Sequence, residues 1–179
     1  MKVIGVLGSP HEKGPSATIA REVLRGAADA GHEVIIYSLK DMNVQGCKAC
    51  GYCKAHWCDC VIHDDLEPYW KELQECDALV LAAPNYCSQV AGPMITYMNR
   101  HYCLMMKGGP RIHPGIKLIG VFSQGNTDAD AYMGAYKWFL NDFESRGMKV
   151  QDIIVHTSSM SFDAGSELMQ RAYEDGKKL

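Results

Sequence analysis

Five short runs of β-branched and apolar residues, each followed by a stretch with helical spacing, constrain this chain more than any other feature. The runs are Lys2–Leu7, Glu33–Leu39, Asp77–Ala83, Ile116–Phe122 and Val150–Val155. The third, Ala78-Leu79-Val80-Leu81-Ala82-Ala83, shows no polar alternation, as expected of a strand covered on both faces. After the first run, Ser16–Ala30 repeats apolar residues at Ile19, Ala20, Val23, Leu24 and Ala27 and is closed by Gly31 as a C-cap. A second helix starts from Asp65 as N-cap and runs to about Glu75, with Pro68 tolerated because first-turn amides have no helical partner. Helices over Gly92–Met106, Ala129–Arg146 and Ala164–Gly176 complete the alternation. Strand–helix repetition of this kind requires a parallel sheet with right-handed crossovers and helices on both faces. No linker or repeat divides residues 1–179, so the expectation is a single α/β domain with a Cys-rich loop over about residues 43–64.

Composition narrows the function classes. A chain of 179 residues can bury roughly 70% of its unfolded surface, enough for one such domain. The net charge of -3 gives no reason to expect nucleic acid or an anionic membrane as partner. The N-terminal apolar run is too short for a signal peptide, and no apolar stretch approaches the ~20 residues of a membrane span. A soluble, cytoplasmic protein is the expectation.

In an open parallel sheet, ligands bind beyond the carboxyl ends of the strands. There the first strand delivers Gly8-Ser9-Pro10-His11-Glu12-Lys13-Gly14-Pro15-Ser16-Ala17-Thr18 into the first helix. Glycines permit tight turns, Ser9, Ser16 and Thr18 supply hydroxyls, and the helix start adds free amides and a positive dipole end. That combination suits a phosphate. It is neither the Gly-x-Gly-x-x-Gly fingerprint nor a Walker loop, and an ordinary strand-to-helix turn has a similar composition. The third strand ends in Pro84-Asn85-Tyr86-Cys87-Ser88-Gln89, which offers polar groups and one aromatic face. The fourth ends in Ser123-Gln124-Gly125-Asn126-Thr127. Three such loops on one sheet edge suit a ligand with a phosphate at one end and a flat polar heterocycle at the other.

From the N-terminus to about Asn126, the chain resembles the NADPH-dependent FMN reductase family and, within it, the iron–sulfur flavoprotein branch. The likeness is carried by Gly8-Ser9-Pro10 with Gly14 and Ser16, by the Cys-rich segment leading to Asp64-Asp65, by Pro84-x-Tyr86 with Gly92, and by Arg100. It implies a flavodoxin-like fold whose five-stranded parallel sheet has the order 2-1-3-4-5. It also implies FMN, with the phosphate on Ser9, His11, Ser16, Ala17 and Thr18. The ring would lie against Pro84, Asn85, Tyr86, Cys87, Ser88, Gln89, Ser123, Gln124 and Gly125. NAD(P)H as co-substrate, a small-molecule acceptor or redox protein as partner, and a homodimer or homotetramer belong to the same implication. The flavin carries the chemistry in such a protein, so no catalytic side chain is assigned. The sequence departs from the family at His11, where Arg is usual, at Pro15, where Asn is common, and at Asn99, where Asp usually precedes the Arg.

Eight cysteines occur, five of them between Cys47 and Cys60. Without a secretion signal, such crowding reads as metal or redox chemistry rather than as a disulfide framework. A Cys47-x2-Cys50-x2-Cys53 triplet can wrap a 4Fe–4S cluster, and Gly46 and Gly51 favour the loop conformations this needs. The resemblance implies a fourth cysteine a few residues on. Cys60 aligns with it through the following Val61-Ile62-x-Asp64-Asp65, while Cys58 also fits the spacing. Structural zinc, with His56 or His63 beside the thiolates, is a second reading, and free or redox-active thiols a third. Cys76, Cys87 and Cys103 read as small buried hydrophobes. The tract Met94, Tyr97, Met98, His101, Tyr102, Met105 has the spacing of a helix face in the core or at a dimer contact. Arg100 either pairs with a carboxylate or contacts phosphate. The function expected is an NAD(P)H-dependent FMN or quinone reductase. The alternatives are an electron carrier taking electrons from ferredoxin through the cluster, and a non-catalytic zinc- or flavin-binding module.

Overall fold

The structure is a computed structural model that describes residues 1–179. All five expected strands form: β1 (Lys2–Leu7), β2 (Glu33–Ser38), β3 (Ala78–Tyr86), β4 (Lys117–Ser123) and β5 (Lys149–His156). They pair in parallel in the order β2-β1-β3-β4-β5, the order that the resemblance implies. Ile4 lies opposite Ile35 and Leu79, and Leu81 lies opposite Gly120. The central strand β3 is buried from Ala78 to Pro84, which accounts for its unbroken apolar sequence.

Six helices accompany these strands, the last of them after β5: α1 (Pro15–Asp29), α2 (Tyr52–His56), α3 (Glu67–Gln74), α4 (Gly92–Arg100), α5 (Met133–Glu144) and α6 (Glu167–Lys177). One sheet face carries α1 and α6, packed through Ile19, Val23, Leu24, Met169 and Ala172. The other carries α3, α4 and α5, with Tyr69, Leu73, Tyr97, Phe139 and Phe143 in a larger core. Helices α1 and α6 cross at backbone contact. A Cβ on Gly26 would lie 2.1 Å from the Tyr173 carbonyl oxygen, and one on Gly176 would lie 1.9 Å from that of Val23. Only glycine at both positions permits this approach.

Several boundaries differ from the sequence expectation, each for a local reason. The Asp65 carboxylate does not cap α3: it accepts a hydrogen bond from the Asn43 amide at 2.6 Å, and Leu66 takes the cap position. The helix expected over Gly92–Met106 stops at Arg100 and tightens into a 3-10 turn at His101–Leu104. Met105–Met106 then pairs antiparallel with Gly109–Pro110 around a turn in which Gly108 has φ +107°. Helix α5 starts at Met133 rather than at Ala129, because Asn126 and Asp128 side chains accept from the amides of Asp128 and Asp130 and hold tight turns before it. Helix α6 starts after Ser166, whose hydroxyl accepts from the Met169 amide at 3.4 Å.

Replacing Gly176 by Ala drives a methyl group into backbone that cannot rotate away. The expected loss is about 3 kcal/mol, read as a lower urea midpoint with an unchanged slope.

Candidate functional site

The carboxyl ends of β1, β3 and β4 form one edge, and the turn after β1 lies against it. The Gly8 amide donates to the Ala82 carbonyl at 2.7 Å, tying that turn to β3. Ser9 is buried, and its hydroxyl is used inside the turn: it donates to the His11 carbonyl at 2.9 Å and accepts from the His11 amide at 3.1 Å. The His11 side chain is exposed. Gly14 is the N-cap of α1 and brings no capping side chain, and no acidic residue occupies the first turn. The amides of Ser16 and Ala17 make no backbone hydrogen bond, while that of Thr18 donates to Gly14 at 2.9 Å. The Ser16 hydroxyl is buried and has no partner at all. Pro15 occupies the first helical position, where its missing donor would have had no helical partner in any case. The result is a small cradle of unused donors at a positive helix end, with Ser16 and Ala17 at its base.

The segment after β3 is not a simple loop. Asn85 and Tyr86 pair with Val90 and Gln89 in a tight hairpin whose two tip residues, Cys87 (φ 51°) and Ser88 (φ 63°), are both left-handed. Cys87 is therefore exposed rather than buried as its composition-based reading had it: the tip of a two-residue turn has no core to enter. Pro84 is buried, whereas Tyr86, Ser88 and Gln89 are exposed. The Asn85 amide nitrogen is buried and without a partner. Beside it, after β4, Ser123 and Gln124 are buried and Gly125 is exposed. The Gln124 side chain is fully engaged, since it accepts from the Tyr136 hydroxyl at 2.8 Å and donates to the Asp128 carbonyl at 2.6 Å. Burial pushes the Tyr136 hydroxyl up to about 12, so it remains a neutral donor at physiological pH. The β5 edge adds a contact that the sequence reading missed: the Ser158 hydroxyl donates to the Gly125 carbonyl at 2.8 Å.

The Cys-rich loop leaves β2 at the same end of the sheet and folds back through left-handed residues at Ala49 (φ 51°), Gly51 (φ 71°) and Trp57 (φ 51°). Cys47, Cys50, Cys53 and Cys60 line one cavity of about 20 Å³, together with Cys103 from the 3-10 turn after α4. Cys58 does not line it. Nor do the two histidines of the zinc reading: His56 stacks on Tyr52 with ring centroids 4.1 Å apart, and His63 faces Glu67 at 3.3 Å. All eight cysteines are free thiols, and no three metal-ligating side chains converge closely enough to share one ion. Burial pushes the Cys103 thiol up to about 12.

Both ends of this loop are fastened to α4. Arg100 donates to the Asp64 carboxylate, to the Gln45 carbonyl at 2.9 Å and to the Ile62 carbonyl at 3.3 Å. Asp64 also accepts from the amides of Gln45 at 2.9 Å and Leu66 at 3.1 Å. Neither side chain is exposed. Burial alone would raise the Asp64 pKa, but hydrogen bonds from Arg100 and the two amides outweigh it and leave the carboxyl below its ordinary value. Of the two roles open to Arg100 in the sequence, the structure shows the carboxylate pair. Met94, Tyr97, Met98 and His101 of the helical tract are buried, as a core face requires, while Tyr102 turns outward because the 3-10 turn breaks the spacing.

The description "NADPH-dependent FMN reductase" belongs to the family model that matches residues 1–126. The chain belongs to that family. An iron-sulfur flavoprotein of Methanocaldococcus jannaschii is 35% identical over 100 residues, covering 56% of this chain and 51% of that protein. The chain spans about half the length of the curated relatives it matches. An NAD(P)H:quinone oxidoreductase structure from Methanothermobacter marburgensis superposes with a TM-score of 0.73 at 16% identity, covering 99% of this chain and 98% of that one. A flavodoxin from the domain Archaea superposes with a TM-score of 0.60 at 16% identity, covering 99% and 95%. These likenesses show the flavodoxin-like fold. No helix of this family member is long and apolar enough to cross a membrane.

The Asp64–Arg100 pair predicts acid sensitivity with a definite sign. A carboxyl held below its unfolded value contributes stability that is complete above that value, about 3.9 for Asp, and lost as pH falls through the lower folded value. Asp64→Asn should therefore lower stability near neutrality and flatten its decline between about pH 4 and pH 2, as read by urea unfolding across that range.

Proposed function

We propose that this family member is an FMN-binding oxidoreductase that accepts hydride from NAD(P)H and reduces flavin, a quinone or a comparable small acceptor. The observation that carries the reading is a set of buried polar atoms on one sheet edge with no partner in the protein: the Ser16 hydroxyl, with the amides of Ser16 and Ala17 beside it, and the Asn85 amide nitrogen. Buried donors left unpaired cost about 1–3 kcal/mol each, and a phosphate and a polar ring would satisfy them. FMN, when bound, supplies hydride and single-electron chemistry at its ring.

The residues of the chain then divide by task. Ser16, Ala17 and Thr18 hold the phosphate at the start of α1. Ser9 keeps the turn shaped rather than facing the ligand, and His11 approaches from solvent. Asn85, Ser123 and the Gly125 backbone meet the polar rim of the ring, while Pro84 and Tyr86 provide apolar surface. Gln124, locked by Tyr136 and Asp128, orients the backbone of its loop. The Cys87–Ser88 tip and Gln89 border the open side, where a nicotinamide or acceptor enters. A cytoplasmic homodimer or homotetramer completed by a neighbouring subunit belongs to the same reading.

A second function is supported by the thiol cavity. Cys47, Cys50, Cys53 and Cys60 form a donor set of thiols alone, and no carboxylate or imidazole lines the cavity with them. Thiolates without oxygen ligands suit an iron–sulfur cluster, and the curated relatives are named iron-sulfur flavoproteins. The cavity must widen to admit a 4Fe–4S cluster, which requires the loop to shift against its anchors at Arg100–Asp64, Lys54–Tyr102 and Asp59–Arg111. A cluster there would let the protein pass single electrons between flavin and a redox protein such as ferredoxin. The exposed aromatic side chains Tyr52, Trp57 and Tyr102 around the loop offer docking surface.

The two parts are tested separately. Ser16→Ala should weaken FMN binding roughly tenfold or more, measured by flavin fluorescence quenching. It should leave flavin-free protein at least as stable as the unaltered chain, because a buried hydroxyl without a partner is removed. Flavin-loaded protein should oxidise NADH or NADPH with a quinone or free flavin as acceptor; no turnover with either nucleotide overturns the reductase reading. Iron and sulfide far below about four per chain after anaerobic purification and reconstitution overturn the cluster reading.

A further inference from the structure

We propose that Arg100 is the built-in cation of the thiol cavity, a positioning residue that holds Cys60 rather than Cys58 on the cavity wall and offsets the negative charge of thiolate ligands there. This rests on the cluster reading and adds to it a residue outside the cysteine motif.

Three observations converge on the guanidinium. Its terminal nitrogens are used on the loop side, on Asp64, Gln45 and Ile62, so the head cannot swing. Its Nε is buried and has no hydrogen-bond partner. Arg100 lines the thiol cavity together with Cys60, whereas Cys58 does not reach it. An orphaned N–H on a fully buried cation is costly in this structure, and that cost is relieved once an anionic sulfur stands in front of it.

The charges around the cavity have one sign. Lys48 and Arg100 are the charged residues on its wall, and no carboxylate lines it. Arg100 lines the cavity and its partner Asp64 does not, so the buried pair presents its positive member to the thiols. The nearby Asp59 is paired with Arg111 at 2.8 Å. A cluster held by four thiolates is an anion that gains one more negative charge on reduction. A fixed cation and an N–H donor to sulfur favour the reduced form, and the low local dielectric strengthens both effects. Removing Asp64 alone should raise the potential, and removing Asp64 and Arg100 together should lower it. A merely structural role for the pair predicts no such change of sign.

The test uses the flavin-loaded chain reconstituted anaerobically with iron and sulfide, with the cluster followed by paramagnetic resonance at controlled poise. Asp64→Asn leaves the cation uncompensated and should raise the reduced-to-oxidised ratio at fixed poise. Arg100→Gln combined with Asp64→Asn removes both charges and should lower that ratio about tenfold, a shift of 59 mV for a one-electron couple. Arg100→Lys should keep the ratio close to the unaltered protein. Iron retention provides a second readout that does not depend on the folding of Arg100 variants: Cys60→Ser should lose the cluster and Cys58→Ser should keep it. If the unaltered chain takes up no iron, the cluster reading fails and takes this proposal with it. If it takes up iron but the Asp64→Asn and double variants shift the ratio the same way or not at all, or Cys58 proves necessary and Cys60 dispensable, only the role of Arg100 is overturned.

Discussion

Parallel pairing at the centre of the sheet is the constraint from which the rest of the molecule follows. β1 and β3 run side by side in the same direction, so the chain must leave each strand at one end and return to the other through a helix. Every turn that follows a strand therefore gathers on one edge. The cradle after β1, the hairpin after β3, the turn after β4 and the thiol loop after β2 are neighbours for this reason alone. Short polar stretches far apart in the chain become one surface without any of them adjoining another in sequence.

On that edge the protein treats its polar groups in two ways. Some are used internally and rigidify the surface, as with the Ser9 hydroxyl in its own turn and the Gln124 amide between Tyr136 and Asp128. Others are buried and left open, as with Ser16, Asn85 and the Nε of Arg100. Folded proteins rarely leave buried donors unpaired, so those that persist mark where a ligand would complete the structure. Ser16 and Asn85 fall at the proposed flavin site and the Arg100 Nε at the thiol cavity, while Trp70 Nε1 is an unpaired donor within the core.

The Arg100–Asp64 pair links the thiol loop to the core. It joins the end of α4 to both ends of a loop of more than a dozen residues that has little regular structure beyond α2. A buried pair of this kind contributes little net stability against an apolar alternative, but breaking it by removing one partner is costly. Its use here is positional: it fixes both ends of the loop, whose middle is held by Lys54 on the Tyr102 carbonyl, by Asp59 on Arg111 and by the buried Cys53.

Much of this was legible in the residues. Apolar periodicity alone located the five strands and the helices between them, because side-chain burial is a local consequence of strand and helix geometry. Ser16, Asn85 and the Cys47, Cys50, Cys53 triplet stood out because phosphates, polar rings and soft metals need those atom types at those spacings. Other features had no local signal. Whether Cys58 or Cys60 faces the cavity, and that Cys103 joins it from a distant turn, depends on how a loop with three left-handed residues folds against α4. That Ser9 and Gln124 are already engaged, and that Cys87 is exposed at a hairpin tip, depends on partners supplied by other parts of the chain. The sequence by itself determined the elements, their order of appearance and the chemistry on offer, since each follows from neighbours within a few residues. Only the tertiary structure decided which donors remain unpaired, because that is settled by contacts across the fold.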